Sequence, residues 1–137
     1  ELSFTPYQPA AEEEYMNDAQ LAHFRKILLD WKEQLISEAE STKSYIQDES
    51  TAMPDINDRA TQEEEFALAL RTRDRERKLI RKIDKSIAEI DSGDYGFCET
   101  CGVEIGVRRL EARPTATQCI DCKTLSEIKE KQAWGHA

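Results

Sequence analysis

At 137 residues, with 34% charged side chains, only five glycines and four prolines, the chain has few turn points and little apolar material for one compact core. Its formal net charge of −9 divides into −11 over residues 1–66 and +2 over residues 67–137. Such an acidic chain is a poor general binder of duplex DNA, where affinity rests on neutralising phosphates. No apolar run approaches the roughly twenty residues of a membrane-spanning helix. Long solvated helices with a small stapled module fit this balance, so the expected class is all-α.

Residues 1–16 read as an irregular N-terminal segment, with Pro6 and Pro9 ahead of the acidic run Glu12-Glu13-Glu14. Position 1 is Glu rather than Met, and residues ahead of it, missing or processed, are expected. From Asn17 or Asp18, either of which suits an N-cap, helical periodicity sets in. Leu21, Phe24, Leu28, Trp31 and Leu35 are spaced 3, 4, 3 and 4 apart, as in a coiled-coil seam, and Ile27 and Ile36 widen the stripe. The stripe turns polar at Glu38 and Thr42 and recovers at Tyr45. This helix should stop before Pro54, because the residue ahead of a proline avoids the α region.

Residues 53–60, from Met53 to Ala60, form the break. A capping box at Thr61 and Glu64, or an N-cap at Asp58, starts a second helix that carries Phe66, Leu70, Ile80, Ile83, Ile87 and Ile90 and ends at Asp91-Ser92-Gly93. Folding the helices antiparallel about Ile56 places Ile87 and Ile90 opposite Leu21 and Phe24, and Ile80 and Ile83 opposite Trp31 and Leu28. The charged run Arg73 to Arg77 then faces Leu35 to Ala39. Residues 17–92 thus make an antiparallel coiled-coil arm, about 45 Å long at a rise of about 1.5 Å per residue, with 53–60 as its tip. At that tip Asp55 and Asp58 read locally as turn or capping residues. As two carboxylates they offer Mg²⁺ a weak site. Along the second helix Arg71, Arg75, Lys78, Lys82 and Lys85 give one cationic face. The plain reading is a solvated face, with Asp74 serving Lys78 and Glu89 serving Lys85.

Residues 93–137 hold the sharpest motif. Cys98, Cys101, Cys119 and Cys122 are the only cysteines and form C-x2-C-x17-C-x2-C. Each pair puts two sulfurs on one side of a tight turn, and the intervening segment is long enough to bring both pairs to one ion. Such spacing predicts tetrahedral Zn²⁺ held by four thiolates. Two disulfides are the rival, but no secretory signal is visible and a reducing compartment is expected. With four protein ligands the ion has no open position, so its expected role is structural. Tyr95 and Phe97 are expected to pack on the helix bases, and Lys123 to Gln132 to form a short helix with Leu125 and Ile128 on one face. His23 and His136 stand isolated, and neither is expected to act chemically. No Gly-rich phosphate loop, nucleophile elbow or Cys/His catalytic pair is present in the sequence.

The cysteines with Ile105, Arg109 and Pro114, and the runs Glu13 to Asn17, Ala19 to Phe24, Arg73 to Ile80 and Ile105 to Ala116, resemble the DksA/TraR family of bacterial transcription factors. The resemblance extends from about Pro6 to Lys131. It implies a zinc finger beside a coiled-coil arm whose tip enters the secondary channel of RNA polymerase, with Asp55, Asp58 and Ala60 at the tip's Asp-x-x-Asp-x-Ala positions. Ile56 stands where the family often has proline. The resemblance further implies a guanosine tetraphosphate (ppGpp) site shared with the polymerase β′ rim, at Leu79, Lys82, Arg113 and Lys123, with Arg75 contacting polymerase itself.

The function the resemblance implies is non-catalytic: a monomeric, cytoplasmic regulator that binds RNA polymerase rather than DNA. It further implies that with ppGpp the protein represses ribosomal RNA promoters and favours others, as in the stringent response. Two alternatives stand beside it. One is a transcript-cleavage factor that positions Mg²⁺ on Asp55 and Asp58; the other is a zinc-dependent DNA binder with steeply salt-dependent affinity.

Overall fold

Four helices and no strand make up the computed structural model, which describes residues 4–49 and 56–135, the side chains of 49, 56–59, 134 and 135 excepted. They are α1 (Asp18–Glu49), α2 (Ile56–Ser92), α3 (Val107–Ala112) and α4 (Ile120–Gly135). The expected all-α class holds. No helix is long and apolar enough to cross a membrane among the described residues. The chain forms two compact units, one of Leu29–Asp84 and the other of Glu1–Leu28 with Lys85–Ala137.

In the Leu29–Asp84 unit α1 and α2 run antiparallel. Lys32 Nζ lies 2.6 Å from Asp84 Oδ1, Thr42 Oγ1 donates to Glu76 Oε1 at 3.3 Å, and the Tyr45 hydroxyl donates to Glu65 Oε2 at 3.1 Å. Partners thus descend α2 as α1 ascends. Lys32 and Thr42 meet α2 a turn or more closer to its C-terminus than a fold about Ile56 predicts, whereas Tyr45 meets it slightly closer to its N-terminus. Glu76 is only 6% exposed. A polar residue inside a coiled-coil seam costs stability and specifies register. Two paired helices cover only a narrow stripe of each other. Ile36 and Leu70, expected to face inward, are therefore each 44% exposed.

The other unit has more layers, and there the wider stripe is covered. Phe24, Ile27 and Leu28 of α1, Ile90 of α2, and Tyr95, Ile105, Leu110 and Pro114 beyond it are all buried. The Tyr95 ring lies 5.6 Å from that of Phe24, and its hydroxyl donates to the Pro114 carbonyl at 2.8 Å. Tyr95 thus packs on the helix base as expected. Phe97 does not: it is 41% exposed and sets its ring edge-on to Tyr15 at 5.5 Å. Arg25 and Asp91 form an ion pair across the same helix bases.

Helix ends follow local chemistry. Asn17 caps α1, its Oδ1 accepting from the Gln20 amide at 2.8 Å. Past α2, Gly93 takes φ 84°, and the Asp94 amide donates to the Glu89 carbonyl at 2.9 Å, closing the last turn. At its other end α2 is already helical at Ile56, so Asp58 and the Thr61 capping box lie inside it rather than at its start. α4 begins at Ile120, three residues ahead of the expected Lys123, and reaches Gly135. Its Leu125 and Ile128 are about half exposed. α3, six residues long, has no sequence-level forerunner because it is too short to show a period.

The described part of the N-terminal segment, residues 4–16, carries no helix or strand and is pinned by hydrogen bonds. Gln20, 3% exposed, is the hub: its Oε1 accepts from the Met16 amide at 2.8 Å, and its Nε2 donates to Glu13 Oε2 at 2.9 Å. The other oxygen of Glu13 accepts from the Tyr7 hydroxyl at 2.6 Å. Glu12 and Met16 take left-handed φ values of 66° and 53°, a conformation that costs a side-chain-bearing residue about 1–3 kcal/mol. These hydrogen bonds hold the segment against that cost.

His23 is not isolated. Its Nε2 lies 2.9 Å from Oε2 of Glu111, a carboxylate 7% exposed that also accepts from the Tyr7 amide at 2.7 Å and from Arg108 at 2.6 Å. Burial alone raises the Glu111 pKa, but the Tyr7, His23 and Arg108 donors outweigh it and leave the pKa lowered. A depressed carboxyl contributes stability above its unfolded-state pKa, and that stability is lost as pH falls through the folded value. Glu111→Ala should therefore destabilise the fold by about 1–3 kcal/mol at neutral pH, since it strands the donors. Urea unfolding should show this gap from wild type narrowing as pH falls through the acid range.

Candidate metal centre

The four cysteine sulfurs come from two local devices. The first is a knuckle between Gly96 and Gly106, closed by a bridge of Phe97 with Glu104 and by the Cys98 amide donating to the Val103 carbonyl at 2.8 Å. Gly102 turns it at φ 80° and donates its amide to the Cys98 carbonyl at 2.9 Å. The second is the start of α4, where Cys119 directly precedes the helix and Cys122 lies in its first turn. The Cys122 amide donates to Cys119 Sγ at 3.4 Å. Amides at a helix N-terminus favour negative charge there, as a thiolate requires. The Glu99 amide, donating to the Thr117 carbonyl at 2.8 Å, ties the first device to the second. Gln118 adds a bond to Thr100 Oγ1 at 3.1 Å and one to Ser126 Oγ at 3.3 Å.

All four sulfurs lie within 4.8 Å of one another, and Cys101 and Cys119 are 3.7 Å apart. A tetrahedron with Zn–S bonds of about 2.3 Å has S···S edges of roughly 3.8 Å, so the set fits Zn²⁺. The electrostatics of the sulfurs agree. Hydrogen bonds from the Cys101 and Cys119 amides lower the Cys98 pKa to about 6, whereas the neighbouring sulfurs of Cys119 and Cys101 push Cys122 up to about 12. One thiolate forms readily and its neighbour resists. A cation is what allows all four to ionise together. Bound there, Zn²⁺ joins the knuckle to α4 as a structural cross-link with no open position.

The other expected site residues fall as follows. Arg75 and Lys82 are exposed on α2 and Leu79 is half-buried there. The rest of the cationic face, Arg71, Lys78 and Lys85, is exposed too, with Lys78 Nζ 3.1 Å from Asp74 as the i,i+4 pattern suggested. Arg113 is exposed just past α3, and Lys123 is half-buried in α4. Nearby, Arg108 pairs with Glu111 and Arg109 donates to the Gln118 carbonyl at 3.2 Å. Of the tip, Asp55 lies outside the described residues, as do Met53 and Pro54. Asp58 lies in the first turn of α2 with its side chain undescribed, and Ala60, the next residue but one, is exposed. His136 is also outside the described residues.

A helical hairpin with a four-cysteine zinc finger defines a class, and comparison with known proteins places the chain within it. Residues 20–90 match the family described as DnaK suppressor protein DksA, N-terminal domain, and residues 93–127 the prokaryotic dksA/traR C4-type zinc finger. The chain belongs to the DksA family. It is 62% identical over 130 residues to the RNA polymerase-binding transcription factor DksA of Escherichia coli K12, covering 95% of this chain and 86% of that one. The protein of the same name in Haemophilus influenzae is 61% identical over 130 residues, covering 95% and 90%. Among solved structures, transcription factor DksA2 from Pseudomonas aeruginosa superposes with a TM-score of 0.82 at 39% identity, over 90% of this chain and 94% of that one.

Proposed function

We propose that this protein is a transcription regulator that binds RNA polymerase directly, through the enzyme's secondary channel and β′ rim, and acts with ppGpp. What carries the reading is the match along both modules to relatives named RNA polymerase-binding transcription factor. The chemistry of the chain supports it. A metal closed by four thiolates supplies no catalytic position, which fits a protein that acts by binding rather than as an enzyme. Its net charge of −9 disfavours duplex DNA as the partner. It works as a monomer in the bacterial cytoplasm.

Binding counts only where it distinguishes two conformations of polymerase. Asp55, Asp58 and Ala60 reach the channel, Arg75 contacts polymerase, and Leu79, Lys82, Arg113 and Lys123 complete a ppGpp site on the enzyme's surface. Exposed guanidinium and ammonium groups suit a polyphosphate ligand. Ribosomal RNA promoters are repressed and other promoters activated, as the stringent response requires. Polymerase should bind a fluorescent derivative of this protein saturably, and absence of any saturable complex would contradict the proposal.

Lys82→Ala, Arg113→Ala and Lys123→Ala should each raise the ppGpp concentration needed for half-maximal effect by roughly tenfold or more, since each removes a charge-assisted phosphate contact of about 1.5–3 kcal/mol. Polymerase binding without ppGpp should change far less. Unaltered ppGpp titrations in all three variants would return these residues to a solvated cationic face.

A further inference from the structure

The first zinc knuckle hangs on two glycines, Gly96 and Gly106, with φ of 95° and 105° that few other residues adopt. One side chain touches both. The Tyr15 hydroxyl donates to the Gly96 carbonyl at 2.7 Å and accepts from the Gly106 amide at 2.9 Å, across 81 and 91 residues of sequence. Its ring meets Phe97, the first residue of the knuckle, edge-on. The contact is close enough to require glycine. A Cβ at Gly96 would lie 2.8 Å from Met16 Cγ and 3.0 Å from the Tyr15 hydroxyl. The chain also keeps Met16 at a disfavoured positive φ right beside Tyr15.

We infer that Tyr15 is a positioning residue for the metal centre, a latch on both hinges of the knuckle that slows zinc release. For the ion to leave, one pair of thiolates must swing away from the other. Cys119 and Cys122 sit at the start of α4, whereas Cys98 and Cys101 ride on the hinged knuckle. Opening that knuckle turns the backbone at Gly96 and Gly106, and the hydroxyl of Tyr15 is bonded to each. Knuckle and ion stay in place while the latch is closed. This inference rests on zinc occupying the four-cysteine site and is independent of polymerase.

The test is the rate at which the chromophoric chelator 4-(2-pyridylazo)resorcinol extracts zinc from the full-length, zinc-loaded protein. Tyr15→Phe keeps the ring on Phe97 and removes both hinge bonds. It should retain one zinc per chain and wild-type helix content while releasing the metal roughly tenfold faster. Cobalt substitution should give unchanged thiolate-to-metal absorption bands, showing that the ligand set is intact. Tyr7→Phe removes a hydroxyl that bonds Glu13 in the same segment without touching the knuckle, so its release rate should match wild type. A wild-type release rate in Tyr15→Phe would overturn the latch. Equal acceleration in Tyr7→Phe would overturn it as well, assigning the effect to general docking of the segment. A wild type that holds no stoichiometric zinc would overturn it too, and with it the zinc site on which it rests.

Discussion

Cys98→Ser should unfold the zinc module while leaving the long helices in place. The serine hydroxyl is a poor zinc ligand, and the site loses the one sulfur whose pKa is already lowered to about 6. Metal binding to structural sites of this kind is worth about 10–16 kcal/mol, which is folding free energy for the segment that carries the ligands. Without it the knuckle and α4 have little else to join them, because α4 exposes about half of Ile120, Leu125 and Ile128 and buries no large apolar residue among those described. α1 and α2 supply 32 and 37 helical residues against 6 and 16 in α3 and α4, so the 222 nm signal should fall by no more than roughly a quarter. Near-ultraviolet signals from Tyr95, buried against Phe24, should fall much further. Cys122→Ser should behave alike. Wild-type thermal stability in either variant, or in a metal-free preparation, would contradict a structural zinc.

Asp58→Asn should nearly abolish transcriptional regulation with little effect on fold or polymerase binding. Asn matches Asp in size and in backbone preferences, and α2 already begins at Ile56, so Asp58 is not the residue that starts it. What the change removes is one negative charge and half of the carboxylate's acceptors. If that charge acts inside the polymerase channel, inhibition should disappear at concentrations where the variant still displaces a labelled wild-type competitor. On the proposed reading the arm and zinc module supply most of the contact area, so a tip substitution should leave the affinity largely intact. Full inhibition by Asp58→Asn would sink the tip mechanism even with zinc and ppGpp behaving as expected.

Legibility in the sequence tracked how local each signal is. The four cysteines and the spacing from Leu21 to Leu35 are short-range patterns, and both correspond to features of the structure: the sulfur cluster, and a seam in which Phe24, Leu28 and Leu35 are buried. Ile27 and Ile36 look alike in sequence, yet one is buried and the other 44% exposed. The difference depends on how many layers cover each stretch, which periodicity does not encode. Glu76 likewise escaped, since no apolar pattern marks a buried polar residue. Partners far apart in the chain were invisible singly: Tyr7 and Glu111 are separated by 104 positions, Tyr15 and Gly106 by 91, and His23 and Glu111 by 88. The signal for Tyr15 was present in the run Glu13 to Asn17, but only as part of a resemblance. Asp55 and Asp58 carry no local mark that separates a functional carboxylate from a turn residue.

Run-off transcription by purified RNA polymerase on a ribosomal RNA promoter, with zinc-loaded protein in the presence and absence of ppGpp, bears most directly on the proposed function. Full-length transcript should fall as the protein is added, fall further with ppGpp, and reach this level without any complex of the protein with free promoter DNA. Unchanged transcript at saturating protein, or a ladder of shortened RNA released from stalled complexes, would contradict a polymerase-binding regulator and favour, in the second case, a cleavage factor.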